Sequence, residues 1–101
     1  MLDTSWRERL RVAIQDAGKS MRAVSLASGN GPGYVHSILS DGKEPTMDNL
    51  AAVCDAIPVS LIYILYGLDV SDEDFEILRA LREYPEIRQG IYQIIRAKSS
   101  S

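Results

Sequence analysis

Apolar residues recur every three or four positions along most of this chain and nowhere alternate over the length of a strand, so the pattern predicts helices throughout. Leu10, Ala13, Ile14 and Ala17 form the first stripe. Ser5 and Glu8 precede it at capping-box spacing and Gly18 ends it, which places a helix over about residues 5–17. Ser20 is placed to cap a short second helix with Val24 and Ala27 turned inward, Ser25 and Ser28 small enough to let a neighbour approach, and Gly29 at its end. A third helix is expected to open with Asn30 or Gly31 as cap and Pro32 in its first turn, where a missing N–H is harmless. It faces Val35, Ile38 and Leu39 inward and stops at Asp41-Gly42. Thr46 caps a fourth helix striped by Leu50, Val53, Cys54 and Ile57. Ser60 caps a fifth, apolar on nearly every side up to Gly67, a composition that calls for burial.

Beyond Leu68 the pattern changes character. Ser71-Asp-Glu-Asp puts three acids in a first helical turn, favourable to the helix dipole, and Phe75, Leu78 and Leu81 follow on one face, predicting a sixth helix over about 72–83. Pro85 suits a first helical position, and Ile87, Ile91, Ile94 and Ile95 continue a seventh helix to about residue 97, with Tyr92 beside them. Lys98-Ser-Ser-Ser is expected to fray. Two readings of these helices stay open: they fold back on the rest of their own chain, or Phe75, Leu78, Leu81, Ile91 and Ile95 form a two-fold dimer contact.

The spacing of Gly29, Val35 and Ile38 carries the most information. A glycine at a bend, a β-branched residue six positions on and an apolar residue three further are what two crossing helices require: the glycine takes φ > 0 and the others fill the angle. Downstream, Asp41-Gly-Lys-Glu-Pro-Thr leads through Leu50 and Cys54 to Val59-Ser-Leu-Ile-Tyr-Ile-Leu-Tyr-Gly67. With these flanks, residues 5–67 resemble the five-helix, lambda-repressor-like DNA-binding domain of the Cro and phage-repressor type, also called the xenobiotic-response-element family. The resemblance implies an all-α fold, a helix-turn-helix domain over residues 1–67 and a helical extension over 68–101, for which a dimerisation element is one of the two open readings.

In such domains the third helix enters the major groove while helix ends and nearby cations meet phosphates. Carried onto this sequence, the base-facing residues are Asn30, Pro32, Gly33, His36 and Ser37, with Gly31 and Tyr34 at the border. Lys19, Met21, Arg22, Tyr34 and Lys43 are the phosphate-contacting set, the amides near Met21 and Met47 included, and Arg7 and Arg11 are further candidates. Two positions depart from the family. Met21 stands where a phosphate-touching glutamine is common, with Arg22 beside it. Pro58 stands where glycine or a polar residue often follows the fourth helix, and because a proline ring disfavours φ > 0 the turn there is expected to use another geometry. The base-facing set lacks arginine and glutamine, and asparagine enters it only through Asn30. Direct readout is therefore expected to be modest, with DNA shape or close backbone approach contributing.

Charge tempers this reading. Residues 1–67 carry six Lys or Arg against seven Asp or Glu, and the remainder five against seven, for a net charge of −3. Any basic footprint must then come from local clustering, and binding should weaken steeply with salt. Cys54 is the only cysteine, which excludes an internal disulfide and suits a core position. One histidine, no metal-ligand spacing and no nucleophile motif argue against an enzyme, a metal site or a cofactor; Gly29-Asn-Gly-Pro-Gly33 lacks the lysine of a phosphate loop. Neither a membrane span nor a signal pattern is present, so a cytoplasmic protein is expected. The expected function is a dimeric, sequence-specific regulator, a phage, prophage or bacterial repressor, on double-stranded DNA with a palindromic operator. The alternative is a protein-interaction module, antirepressor or antitoxin-like, that keeps the fold with a weakened DNA face.

Overall fold

The computed structural model describes residues 5–100, and among these every regular element is a helix. In chain order they are α1 (Trp6–Asp16), α2 (Met21–Ala27), α3 (Tyr34–Ser40), α4 (Met47–Ala56), α5 (Leu61–Tyr66), α6 (Asp72–Glu83) and α7 (Pro85–Ser100). They fall into two compact units that divide between Asp69 and Val70.

The first unit is built on the stripes seen in the sequence. Trp6, Leu10 and Ile14 of α1 meet Val24 of α2, Val35, Ile38 and Leu39 of α3, Leu50, Val53 and Cys54 of α4, Ile57, and Ile64 and Leu65 of α5 in one buried cluster. Burying a Leu or Ile side chain of this kind contributes about 1.5–3 kcal/mol, so the cluster dominates the stability of the unit. Helix starts are fixed by hydroxyls. Ser20, Thr46 and Ser60 stand in extended backbone and accept hydrogen bonds from Ala23, Asn49 and Tyr63 N–H at 3.0, 3.1 and 3.3 Å. Burial pushes the Cys54 thiol up to about 11, with the Asp55 carboxylate adding to the effect.

Several expectations need correction. Ser5 precedes α1 with ψ near 6° instead of extended backbone, so its hydroxyl does not reach the third amide and the capping box with Glu8 does not form. Ala27 is exposed; Ser25 takes the inward place beside Val24. Only Ile64 and Leu65 of α5 are buried, while Tyr66 is 48% exposed, because six residues make under two turns and cannot present every side to one core. Pro58 does take a positive φ, 20°. It sits just past the C-cap Ile57, and the Val59 N–H reaches back to the Cys54 carbonyl at 3.0 Å, the closure that normally calls for glycine.

The second unit is a hairpin of α6 and α7. Ser71 and Asp74 form a reciprocal capping box at 3.2 and 2.9 Å. α7 runs through Ser100 instead of fraying after Ala97, with the Ser100 hydroxyl donating to the Arg96 carbonyl at 2.8 Å. No residue of either helix is buried. Among the described residues no helix is long and apolar enough to cross a membrane.

Candidate nucleic-acid interface

The crossing of α2 and α3 turns on one buried hydroxyl. Ser25 Oγ donates to the Met21 carbonyl at 2.7 Å and accepts the Val35 N–H at 3.0 Å, so a side chain of α2 takes up an amide from the first turn of α3. That amide has no partner within its own helix, and the hydroxyl meets the need of a buried donor while pinning the two helices together. α2 closes at Gly29, φ 83°, with the Asn30 N–H on the Ser25 carbonyl at 3.0 Å.

The chain then spends one more turn outside the helix than expected. The Gly31 carbonyl accepts the Tyr34 N–H at 3.1 Å across Pro32 and Gly33, with proline in the second place of the turn, which its fixed φ favours. Gly33 is therefore the N-cap of α3, and neither Asn30 nor Gly31 caps it; Pro32 lies ahead of the helix.

Gly31, Pro32, Gly33 and His36 project into solvent, while Asn30, Tyr34 and Ser37 are half-buried. The polar groups here are partly engaged. Ser37 Oγ donates to the Gly33 carbonyl at 3.1 Å, Asn30 Nδ2 donates to Ser28 Oγ at 3.0 Å, and His36 Nδ1 stands 3.9 Å from the Asp41 carboxylate. A methyl group added at Gly31 or Gly33 would meet nothing within 4 Å, so the backbone at this tip is uncovered.

Around this tip, Lys43 Nζ lies 5.2 Å over the Tyr34 ring, bringing two of the predicted phosphate-side residues together. Arg22 is exposed on α2, and Met21 is half-buried against the core. Lys19 is turned elsewhere, its ammonium donating to the Ala56 carbonyl at 2.8 Å at the end of α4. Among the described residues no group of His, Cys, Asp or Glu is arranged to hold a metal.

Sequence reasoning missed what the arginines of α1 do. Arg7 Nε donates to the Ile38 carbonyl at 3.0 Å, and its Nη2 reaches the Lys43 carbonyl at 3.3 Å and Glu44 Oε1 at 3.2 Å; the guanidinium lies 4.5 Å over the Trp6 ring. Arg11 Nη2 donates to the Leu39 carbonyl at 3.2 Å. Arg9 does the same for α5, holding the Ile64 and Leu65 carbonyls at 2.8 and 2.9 Å. All three place a cation at a helix C-terminus, where free carbonyls and the helix dipole favour it. Their partners lie 28 to 56 residues away, so only the spacing of Arg7 and Arg11 on one helical face hinted at a shared task.

No protein-family model and no curated protein matches the chain. Solved structures do. The clp gene regulator ClgR from C. glutamicum is 30% identical at a TM-score of 0.55, over 59% of this chain and 78% of that one. The P22 c2 repressor, in complex with a synthetic operator, is 24% identical at a TM-score of 0.56, over 62% of this chain and 96% of its own. A chain of the SinR–SinI protein complex is 20% identical at a TM-score of 0.55, over 91% of this chain and 97% of its own. The last two likenesses concern the fold alone.

Proposed function

Because the chain belongs to the Cro- and phage-repressor-type helix-turn-helix family of DNA-binding proteins, we propose that it is a sequence-specific transcriptional regulator that binds operator DNA as a homodimer and represses by covering a promoter. The observation that carries this reading is the exposed tip formed by Gly31, Pro32, Gly33 and His36, held on the α2–α3 crossing and ready to enter a groove. The relative of highest identity above is itself named a gene regulator, and the P22 c2 repressor binds an operator in its own crystal.

In this reading α3 is the recognition helix. Asn30, Pro32, Gly33, His36 and Ser37 face bases, and Arg22, Tyr34, Lys43 and the amides at the start of α2 near Met21 face phosphates, while Lys19, held on the Ala56 carbonyl, lies outside that set. The α6–α7 hairpin supplies the dimer contact. Phe75, Leu78 and Ile95 are 39, 48 and 52% exposed, Leu81 and Ile91 are half-buried, and a two-helix unit with no buried residue needs a partner to cover its apolar side. A two-fold dimer demands an operator with half-sites about one helical turn apart.

Selection of bound fragments from genomic or random DNA tests the proposal, with enrichment of a palindrome as the expected result. In the selected operator, His36→Ala with Ser37→Ala should change the sequence preference, while Lys43→Ala should weaken all sites alike and lower the salt slope by about 0.9. The sparse hydrogen-bonding chemistry of the tip favours one second reading, a protein-interaction module on the same fold. Failure to enrich any motif, with no retention on DNA at low salt, would decide for it.

A further inference from the structure

The set of contacts around Arg7 goes beyond ordinary helix capping. Its guanidinium holds, at once, the Ile38 carbonyl at the end of α3 and the carbonyl of Lys43 in the loop that follows, and it is kept in place by the Trp6 ring beneath and Glu44 beside it. Trp6 is buried, so the ring is a fixed floor. Arg11 adds a second donor on the neighbouring Leu39 carbonyl. The far end of α3 and the backbone of Lys43 are thus tied to α1 by a planar fork, whereas α3 itself is only seven residues long and its N-cap, Gly33, supplies no side chain.

We propose that Arg7 is a positioning residue for DNA recognition: it sets the angle of α3 and the place of Lys43 through their carbonyls and does not itself meet a phosphate. This rests on the reading of α3 as the recognition helix. Arg7 already uses Nε and Nη2 within the fold, and a short helix pinned by Ser25 at its start and Arg7 at its end has little freedom to re-aim. An error in that angle displaces His36 and Ser37 from the bases while leaving general attraction to phosphates intact.

The test uses the full chain with Arg7→Gln and Arg7→Lys. Lysine keeps the charge but lacks the fork, so positioning predicts that both variants lose about tenfold in operator affinity. Non-operator affinity should fall less than operator affinity, and affinity and salt slope should be alike in the two variants. A direct phosphate contact predicts instead rescue by lysine and a slope lowered by about 0.9 with glutamine, and that outcome overturns the proposal. A second readout needs no DNA. The Asp41 and Lys43 amides both bond to the Ser37 carbonyl at 3.1 Å, and their hydrogen exchange should quicken about tenfold in both variants at unchanged global stability. Wild-type exchange rates in the variants overturn the clamp. If the wild-type chain shows no operator preference, the regulator reading falls while the exchange rates still decide whether Arg7 fixes this end of α3. Should Arg7→Gln lose its cooperative melt, Arg7→Lys carries both measurements.

Discussion

The two units of this chain solve the burial of apolar side chains in opposite ways. Up to Asp69, thirteen described apolar residues, twelve from five short helices and Ile57 just past α4, share one cluster, and most of those helices are too brief to persist alone. From Val70 on, two longer helices with well-formed amphipathic faces bury nothing fully. Helix length and apolar periodicity therefore say little about where a core lies. What matters is whether several faces converge, and a hairpin offers only two.

This contrast can be broken experimentally, beginning with the largest effect. Ile38→Ala empties the centre of the first unit and should cost about 2–5 kcal/mol in a denaturant melt, whereas Leu78→Ala at an exposed hairpin position should cost under about 1 kcal/mol. Ser25→Ala leaves the buried Val35 N–H without its acceptor and should cost about 1–3 kcal/mol and, on the proposed DNA-binding reading, shift the sequence preference because the α2–α3 angle is released. On the proposed dimer, paired Leu78→Glu and Ile95→Glu should give a monomer in sedimentation and weaken binding to the proposed operator about tenfold or more, since two half-sites are no longer linked. A dimer that survives both charges would place the contact elsewhere. Ser71→Ala removes the cap of α6 and should cost about 1 kcal/mol of hairpin helicity by circular dichroism without touching the first unit.

The smallest effect concerns pH. The Cys54 thiol, pushed up to about 11 by burial, stays protonated in the fold, so its contribution to stability is complete below the ordinary thiol value near 9.0 and is lost as pH rises toward 11. Alkylation at pH 8 should accordingly report global unfolding and show no fast phase.

Much of the first unit was legible from local signals. Ser20, Thr46 and Ser60 are caps because a hydroxyl three residues ahead of an amide needs no tertiary context, and the stripe from Leu50 to Ile57 follows from period alone. The failures share a cause. Ser5 has capping-box neighbours but the wrong backbone angle, α3 starts late because Pro32 completes a turn before it, and Tyr66 at the end of α5 stays exposed because one core cannot cover every side of a helix. At the tip, residue identity named the exposed positions, but not that Ser37 and Asn30 already spend a donor inside the fold. The arginine contacts were out of reach of any local rule, since each joins residues that only the packed helices bring together.

Gly31 and Gly33 have a last consequence. Neither needs a left-handed backbone, and a Cβ added at either meets no atom within 4 Å. On the proposed reading, the scaffold therefore carries a blank page at its leading edge, on which arginine, glutamine or asparagine can be written to retarget the molecule to new base pairs without rebuilding what holds it up.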